Sequence, residues 1–149
     1  MNCVYCNTEF KQRFKEDCCN VECYINNMKG IDKKLDDAWA KAVKIQAGYK
    51  CEYCGKETTL NSHHVYSRSN RSVRWDLRNG YCLCVGHHVF GNISAHKSPM
   101  EFSEWMKQDR GEEWADELRL VANSTKKWYK ADKEQLLENL LAYIKENDI

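Results

Sequence analysis

Cys51 and Cys54 are separated by two residues, and so are Cys84 and His87. Pairs at this spacing form knuckles that each give two ligands to one ion, and two such pairs complete a tetrahedral zinc site. Closing that site would tie the loop before residue 55 to a point some thirty residues later, so everything between must fold as a closed excursion. Cys82 lies two residues before Cys84. On a strand it points to the same face, which leaves it as a core residue or an alternative ligand.

The first 25 residues carry five of the nine cysteines. Cys3-x2-Cys6 is followed by Cys18, Cys19 and Cys23. Cys3, Cys6, Cys19 and Cys23 make a second four-thiolate zinc site, with Cys18 an alternative to Cys19. Asn20 is placed to cap a helix that begins inside Cys19-x3-Cys23. A segment this short has no core in which to bury cysteines as apolar residues. The chain begins MNCVYC, with no basic stretch followed by an apolar run, and no apolar run is long enough to span a bilayer. A cytoplasmic setting is expected, in which such pairs bind metal more often than they form disulfides.

Residues 26–48 are charged with helical periodicity; Leu35, Trp39, Ala42, Val43 and Gln46 fall near one face, and Gly48 can end the helix. This segment reads as a helical connector. Strands are expected around Ser62–Tyr66 and Tyr81–Cys84, with a polar, arginine-rich loop over 67–79 between them. A helix is expected from Val85, weakened by Gly91. Beyond Ser98-Pro99, where Ser caps and Pro takes the first helical position, two apolar stripes are separated by Gly111. A last helix follows, capped by Asp132 and carrying Leu136, Leu137, Leu140, Leu141 and Ile144.

Formal net charge is only +1, but residues 61–100 carry five Arg or Lys against one acid, and residues 101–149 carry eight against twelve. The basic segment coincides with the histidines: His63, His64, His87, His88 and His96. For nucleic-acid binding the local patch matters more than the overall pI.

The order and spacing of His63-His64, Asn79 and His88 resemble the motif of the HNH, or ββα-metal, nucleases. His64 precedes Asn79 by fifteen residues, and Asn79 precedes His88 by nine. The resemblance implies that His63 and His88 bind a catalytic metal and that His64 is the general base. It also implies that Asn79 holds the loop between the strands through backbone hydrogen bonds, thereby aiming His64. A further ligand stands open between Asn92, one helical turn after His88, and His96. Eight residues of uninterrupted helix span about 12 Å, so His96 can reach the same ion only if Gly91 ends the helix early. Beside a phosphate-cleaving centre, Arg68, Arg71, Arg74 and Arg78 would contact the DNA backbone without reading sequence. Trp75 and Tyr66 are expected to pack under the loop.

The overall layout is also similar to the NinG (Rap) recombination nucleases of phage lambda. They too have an N-terminal cysteine finger, a charged helical connector, a Cys-x2-Cys-Gly knuckle, a nuclease core and a helical tail. The expectation is therefore an α+β chain with four parts: a finger over 1–25, a connector over 26–48, a zinc-stabilised ββα-metal nuclease core over 49–98, and a helical region over 99–149. The expected activity is metal-dependent hydrolysis of DNA, in a phage or mobile-element setting. Two structural zinc ions and one catalytic divalent ion are implied, the latter Mg2+ or Mn2+, with Zn2+ or Ni2+ able to occupy the site. DNA is the expected partner, with no membrane, and both a monomer and a homodimer fit. The competing reading is a zinc-dependent DNA-binding module without catalysis, which would use the finger, the zinc sites and the arginine loop equally well.

Overall fold

The computed structural model describes residues 2–3, 6–9, 18–19 and 21–148. The expected cap residue Asn20 lies outside the described residues. The element order is helix α1 (Val21–Gln46), strand β1 (Leu60–His64), a 3-10 turn (Leu77–Asn79), strand β2 (Gly80–Cys84), a π turn (Gly86–Phe90), then helices α2 (Pro99–Arg110), α3 (Glu112–Ala122) and α4 (Lys130–Asn147). The fold is α+β, with helices around a two-stranded sheet. No helix among the described residues is long and apolar enough to cross a membrane.

The segment expected to be a connector is the spine of the fold. Leu35, Ala38, Trp39, Ala42 and Val43 of α1 are buried, and with Trp75, Cys82 and Leu140 they form one apolar core. Sheet and loop pack on one side of α1, and α4 brings Leu136, Leu137 and Ile144 to the same cluster. Lys133 of α4 is buried and donates to Asp32 of α1 at 2.6 Å. A lysine this buried is tolerated because it is paired. The helix ends where Gly48, at φ +65°, lets its N–H and that of Tyr49 bond back to the carbonyls of Ile45 and Lys44, the arrangement that satisfies the last helical acceptors.

β1 and β2 pair antiparallel, with His63 opposite Tyr81 and His64 opposite Gly80. Both strands begin one to two residues earlier than expected. Alternation along a strand sends neighbours to opposite faces. Cys82 faces α1. Tyr81 and Leu83 face a second core containing Cys51, Cys84, Ala95, Phe102 and Met106. The free edge of β2 is covered by side chains. Glu52 accepts from Cys82 N–H at 2.7 Å, and Arg110 donates to the Gly80 carbonyl at 2.7 Å while bonding Glu52 at 3.0 Å. An open edge would otherwise present unpaired backbone groups.

The loop from 65 to 79 is fastened on several sides. Asn70 donates to the Ala122 carbonyl and Ser72 to that of Ser124. Val73 packs with Leu118 and Ala122 in a third core. Trp75 is buried, as expected. Gly111, at φ +92°, separates α2 from α3. Pro99 opens α2, but the Ser98 hydroxyl does not cap it and instead donates to the Asn92 carbonyl. Asp132 does act at the start of α4, from the third helical position, by accepting from Tyr129 N–H at 3.0 Å.

Candidate metal centre

Among the described residues, three groups of side chains bring possible ligand atoms within 4.8 Å of one another. The first is Cys3, Cys6, Cys19 and Cys23, the expected N-terminal set. Cys6 and Cys19 sulfurs lie 3.7 Å apart, and Cys19 and Cys23 3.6 Å. Zinc–sulfur bonds of about 2.3 Å at tetrahedral angles place sulfurs roughly 3.8 Å apart, so these four could hold a zinc ion. Desolvation and the neighbouring thiols push the Cys23 thiol upward, a penalty that a divalent cation reverses. Cys18 is buried outside the group. Cys23 sits in the first turn of α1.

The second group is Cys51, Cys54, Cys84 and His87, again the expected set. Cys54 and Cys84 sulfurs are 3.8 Å apart, and His87 Nδ1 lies 3.2 Å from Cys84 and 4.0 Å from Cys51. Gly55, at φ +79°, closes the knuckle by donating to the Cys51 carbonyl at 2.7 Å. The geometry selects Cys84 over Cys82. Cys82 packs into the core against α1, where burial raises its thiol to about 11. Four protein ligands leave no open position, so this second group could hold a zinc ion as a purely structural clamp.

The third group is His63, His88 and His96. His88 and His96 present Nε2 atoms 3.0 Å apart, and the His63 ring lies 5.1 Å and 5.2 Å from theirs. The helix expected after Val85 is a single π turn closed by Gly91 N–H on the Gly86 carbonyl at 2.7 Å. A side chain at 91 would meet the Gly86 carbonyl oxygen at 2.5 Å, so the turn depends on glycine there. The chain then doubles back, and the N–H groups of Ala95 and His96 bond the carbonyls of His87 and His88 at 2.8 Å and 3.2 Å. That reversal settles the open ligand position: His96 joins His88, while Asn92 lies exposed on the loop and does not line the adjoining cleft. Burial, then the neighbouring His88 and His96, lowers His63 to about 3. It is a neutral imidazole with a lone pair to give.

These histidines open on a cleft of about 730 Å³, also lined by His64, Tyr66, Arg68, Phe102, Lys107 and Trp114. Unlike the two thiolate groups, this one faces space large enough for a substrate.

His64 belongs to none of the three groups. Its ring is stacked on Trp39, with centroids 3.9 Å apart and planes 11° from parallel. Its Nε2 lies 3.0 Å from the Arg74 carbonyl. A carbonyl only accepts, so Nε2 carries the hydrogen and Nδ1 carries the lone pair. Burial lowers its pKa, keeping the ring neutral near pH 7. Asn79 is fully buried, and its side chain spans the loop as expected: Oδ1 accepts from Tyr66 N–H at 2.7 Å, and Nδ2 donates to the Tyr66 carbonyl at 3.0 Å. This pair of bonds fixes the turn that follows His64.

The four arginines differ from the expected free patch. Arg74 is only 12% exposed and makes a two-bond ion pair with Asp36 at 3.0 and 2.7 Å. It is part of the scaffold. Arg71 pairs with Asp32 at 3.0 Å and Arg78 with Asp76 at 2.7 Å, both on the surface where such pairs are weak. Arg68 is 66% exposed, lines the cleft and touches Asp36 only at 3.6 Å. Asp36 and Trp39 were legible only as a charged and an apolar position on a helix; no motif marks them. No family model matches this chain, and neither a curated protein nor a solved structure is similar to it.

Proposed function

We propose that this chain is a metal-dependent nuclease that hydrolyses phosphodiester bonds in DNA, with His64 as general base. The observation that carries this reading is the division of four histidines at one cleft: three converge within ligand distance of one another, and the fourth is held apart with a free lone pair. A purely structural site has no use for that fourth imidazole.

His63, His88 and His96 would hold a divalent cation. Three imidazoles suit a first-row transition ion such as Mn2+, Ni2+ or Zn2+ better than Mg2+. Such an ion neutralises charge on the scissile phosphate and on the departing oxygen. The chain's own part is as follows. A neutral His64 takes a proton from water at Nδ1, while Nε2–H stays on the Arg74 carbonyl. The water oxygen bonds to phosphorus as the bond to the 3′ oxygen breaks, leaving a 5′-phosphate and a 3′-hydroxyl. Asp36 near the ring favours the imidazolium that forms. Arg68, exposed at the rim, is placed to pair with a neighbouring phosphate. The two thiolate groups, each loaded with zinc, would hold the scaffold.

The test is cleavage of supercoiled plasmid by the wild type and His64→Ala, with Mn2+, Ni2+, Zn2+ or Mg2+ and then with EDTA. Metal-dependent conversion to nicked or linear DNA is expected. In the variant it falls by about 100- to 10,000-fold, with zinc content unchanged. Wild-type cutting by His64→Ala would remove the assigned base. DNA binding by the wild type without cleavage under any metal would instead support a non-catalytic zinc-dependent DNA-binding module.

A further inference from the structure

Helix α1 lies outside the histidine motif, yet it touches every atom that orients His64. Asp36 and Trp39 sit one turn apart on it. Asp36 takes three hydrogen bonds from the segment across the cleft wall: Arg74 Nε to Oδ1 at 3.0 Å, Arg74 Nη2 to Oδ2 at 2.7 Å, and Trp75 Nε1 to Oδ1 at 2.8 Å. Trp39 Nε1 donates to the Asp76 carbonyl at 3.0 Å. The Arg74 carbonyl, which receives His64 Nε2–H, is thus bracketed by attachments to α1 at residues 74, 75 and 76. The face of Trp39 sets the plane of the same imidazole.

An imidazole aimed at a water has two rotational freedoms to lose. The bond to the Arg74 carbonyl fixes the direction of the Nδ1 lone pair within the ring plane and selects the tautomer. The stack on Trp39 fixes the plane. Neither constraint comes from the ββα motif, and both come from α1. We infer that Asp36 and Trp39 are positioning residues that hold His64 in its Nε2–H tautomer with Nδ1 directed at the cleft. For its rate readout this inference rests on the nuclease reading above.

Replacing Asp36 by Asn keeps one acceptor and sets an NH2 donor against the arginine donors. The attachment of residue 74 loosens, while the apolar packing of α1 through Leu35, Ala42 and Val43 remains. Arg74→Gln attacks the same bond from the other end without altering the carbonyl. Trp39→Phe keeps a ring over His64 but removes the bond to Asp76. Misaiming a reacting group by about 1 Å costs on the order of 100-fold, and the loss cannot exceed what His64 itself supplies.

The experiment uses the full, zinc-loaded chain. Nitrogen-15 correlation spectra of the His64 ring are recorded for the wild type, Asp36→Asn, Arg74→Gln and Trp39→Phe, beside kcat and KM for plasmid cleavage and zinc content. The expected wild-type spectrum shows one tautomer, protonated at Nε2. In Asp36→Asn and Arg74→Gln the tautomers mix, and kcat falls about 10- to 100-fold with KM within about twofold; Trp39→Phe does so to a smaller extent. In a His64→Ala background Asp36→Asn causes no further loss, which a merely structural role would still produce. A His64 protonated at Nδ1 in the wild type, an unchanged tautomer in both Asp36→Asn and Arg74→Gln, or an equal fold-loss in the His64→Ala background would overturn the inference. If Asp36→Asn fails to fold, Arg74→Gln decides the question. If the wild type does not cleave DNA, the nuclease reading fails and the spectra alone judge the positioning.

Discussion

Gly80 offers a direct test of how closely α1 approaches the sheet. Its backbone is extended, at φ −119° and ψ 137°, a conformation open to any residue. Glycine to alanine at such a position ordinarily stabilises by about 0.4–1 kcal/mol, because the unfolded chain loses freedom. Here a methyl group would meet Trp39 Cζ2 at 2.9 Å and Val43 Cγ1 at 3.3 Å, with Val43 Cγ2 closer still. Carbon atoms pack best at about 3.5–4.0 Å, so at Trp39 alone the helix must retreat by roughly 0.6–1.1 Å. Val43 cannot easily turn away, since a β-branched side chain in a helix has one preferred rotamer. Overpacking of this kind costs about 1–3 kcal/mol. The sign therefore reverses: Gly80→Ala is expected to lose about 2 kcal/mol, or roughly 4–8 °C in Tm. The assay is urea unfolding at one fixed free zinc concentration, because ligand binding shifts apparent stability. In a Val43→Ala background the closest methyl is gone, and the penalty should fall by at least half. An equal penalty in both backgrounds, or a stabilised Gly80→Ala, would refute the close approach.

Other outcomes follow from the same geometry. Cys84→Ala should lose one of two zinc ions per chain, with unfolding, whereas Cys82→Ala should keep both; zinc stoichiometry by atomic absorption separates them, and one zinc in the wild type would remove either thiolate site. Asn79→Ala leaves the Tyr66 N–H and carbonyl without their partner, at about 1–3 kcal/mol for each unsatisfied buried group, and should lower kcat more than it raises KM in the plasmid assay. Burial alone would raise the Asp36 carboxyl, but hydrogen bonds from Arg74 and Trp75 and the charges of Arg74 and Arg68 hold it below its ordinary 3.8. A depressed carboxyl contributes stability that is complete above pH 3.8 and is lost as pH falls through the lower folded value. The stability difference between wild type and Asp36→Asn, followed by urea unfolding from pH 7 downward, should thus hold steady to about pH 4 and shrink below it.

Much of the site was legible because metal ligation and strand pairing impose fixed spacings. Both thiolate groups, the His63-His64 pair, Asn79 and His88 stand where their intervals placed them. What escaped depended on contacts between distant residues. Whether His96 could reach His88 turned on the π turn and on a carbonyl oxygen pressed against Gly91, which no local pattern announces. The arginine loop looked free because its counter-charges lie elsewhere: Asp32 and Asp36 are 39 and 38 residues before Arg71 and Arg74, on a helix face that reads as solvated. A charge count over residues 61–100 omits them, and so overstates what is left for a ligand. The same omission made α1 look like a connector, since its role rests on Asp36 and Trp39 reaching across to a segment that sequence periodicity cannot connect to it.

Two adjacent histidines serve different ends here because a strand alternates. His63, opposite Tyr81, faces the core that α2 covers and reaches His88 and His96. His64, one residue on and opposite Gly80, faces α1. A shift of one residue in the pairing would exchange the two faces, so the register of β1 on β2 is what assigns one imidazole to the metal group and the other to Trp39. The residue opposite His64 then decides how near α1 can come. Any side chain at position 80 would collide with Trp39 and Val43, holding the indole away from the imidazole it stacks against. The proposed base is therefore placed by three local choices acting together: a strand that turns its ring toward α1, a glycine that lets the helix approach, and a tryptophan whose face receives the ring.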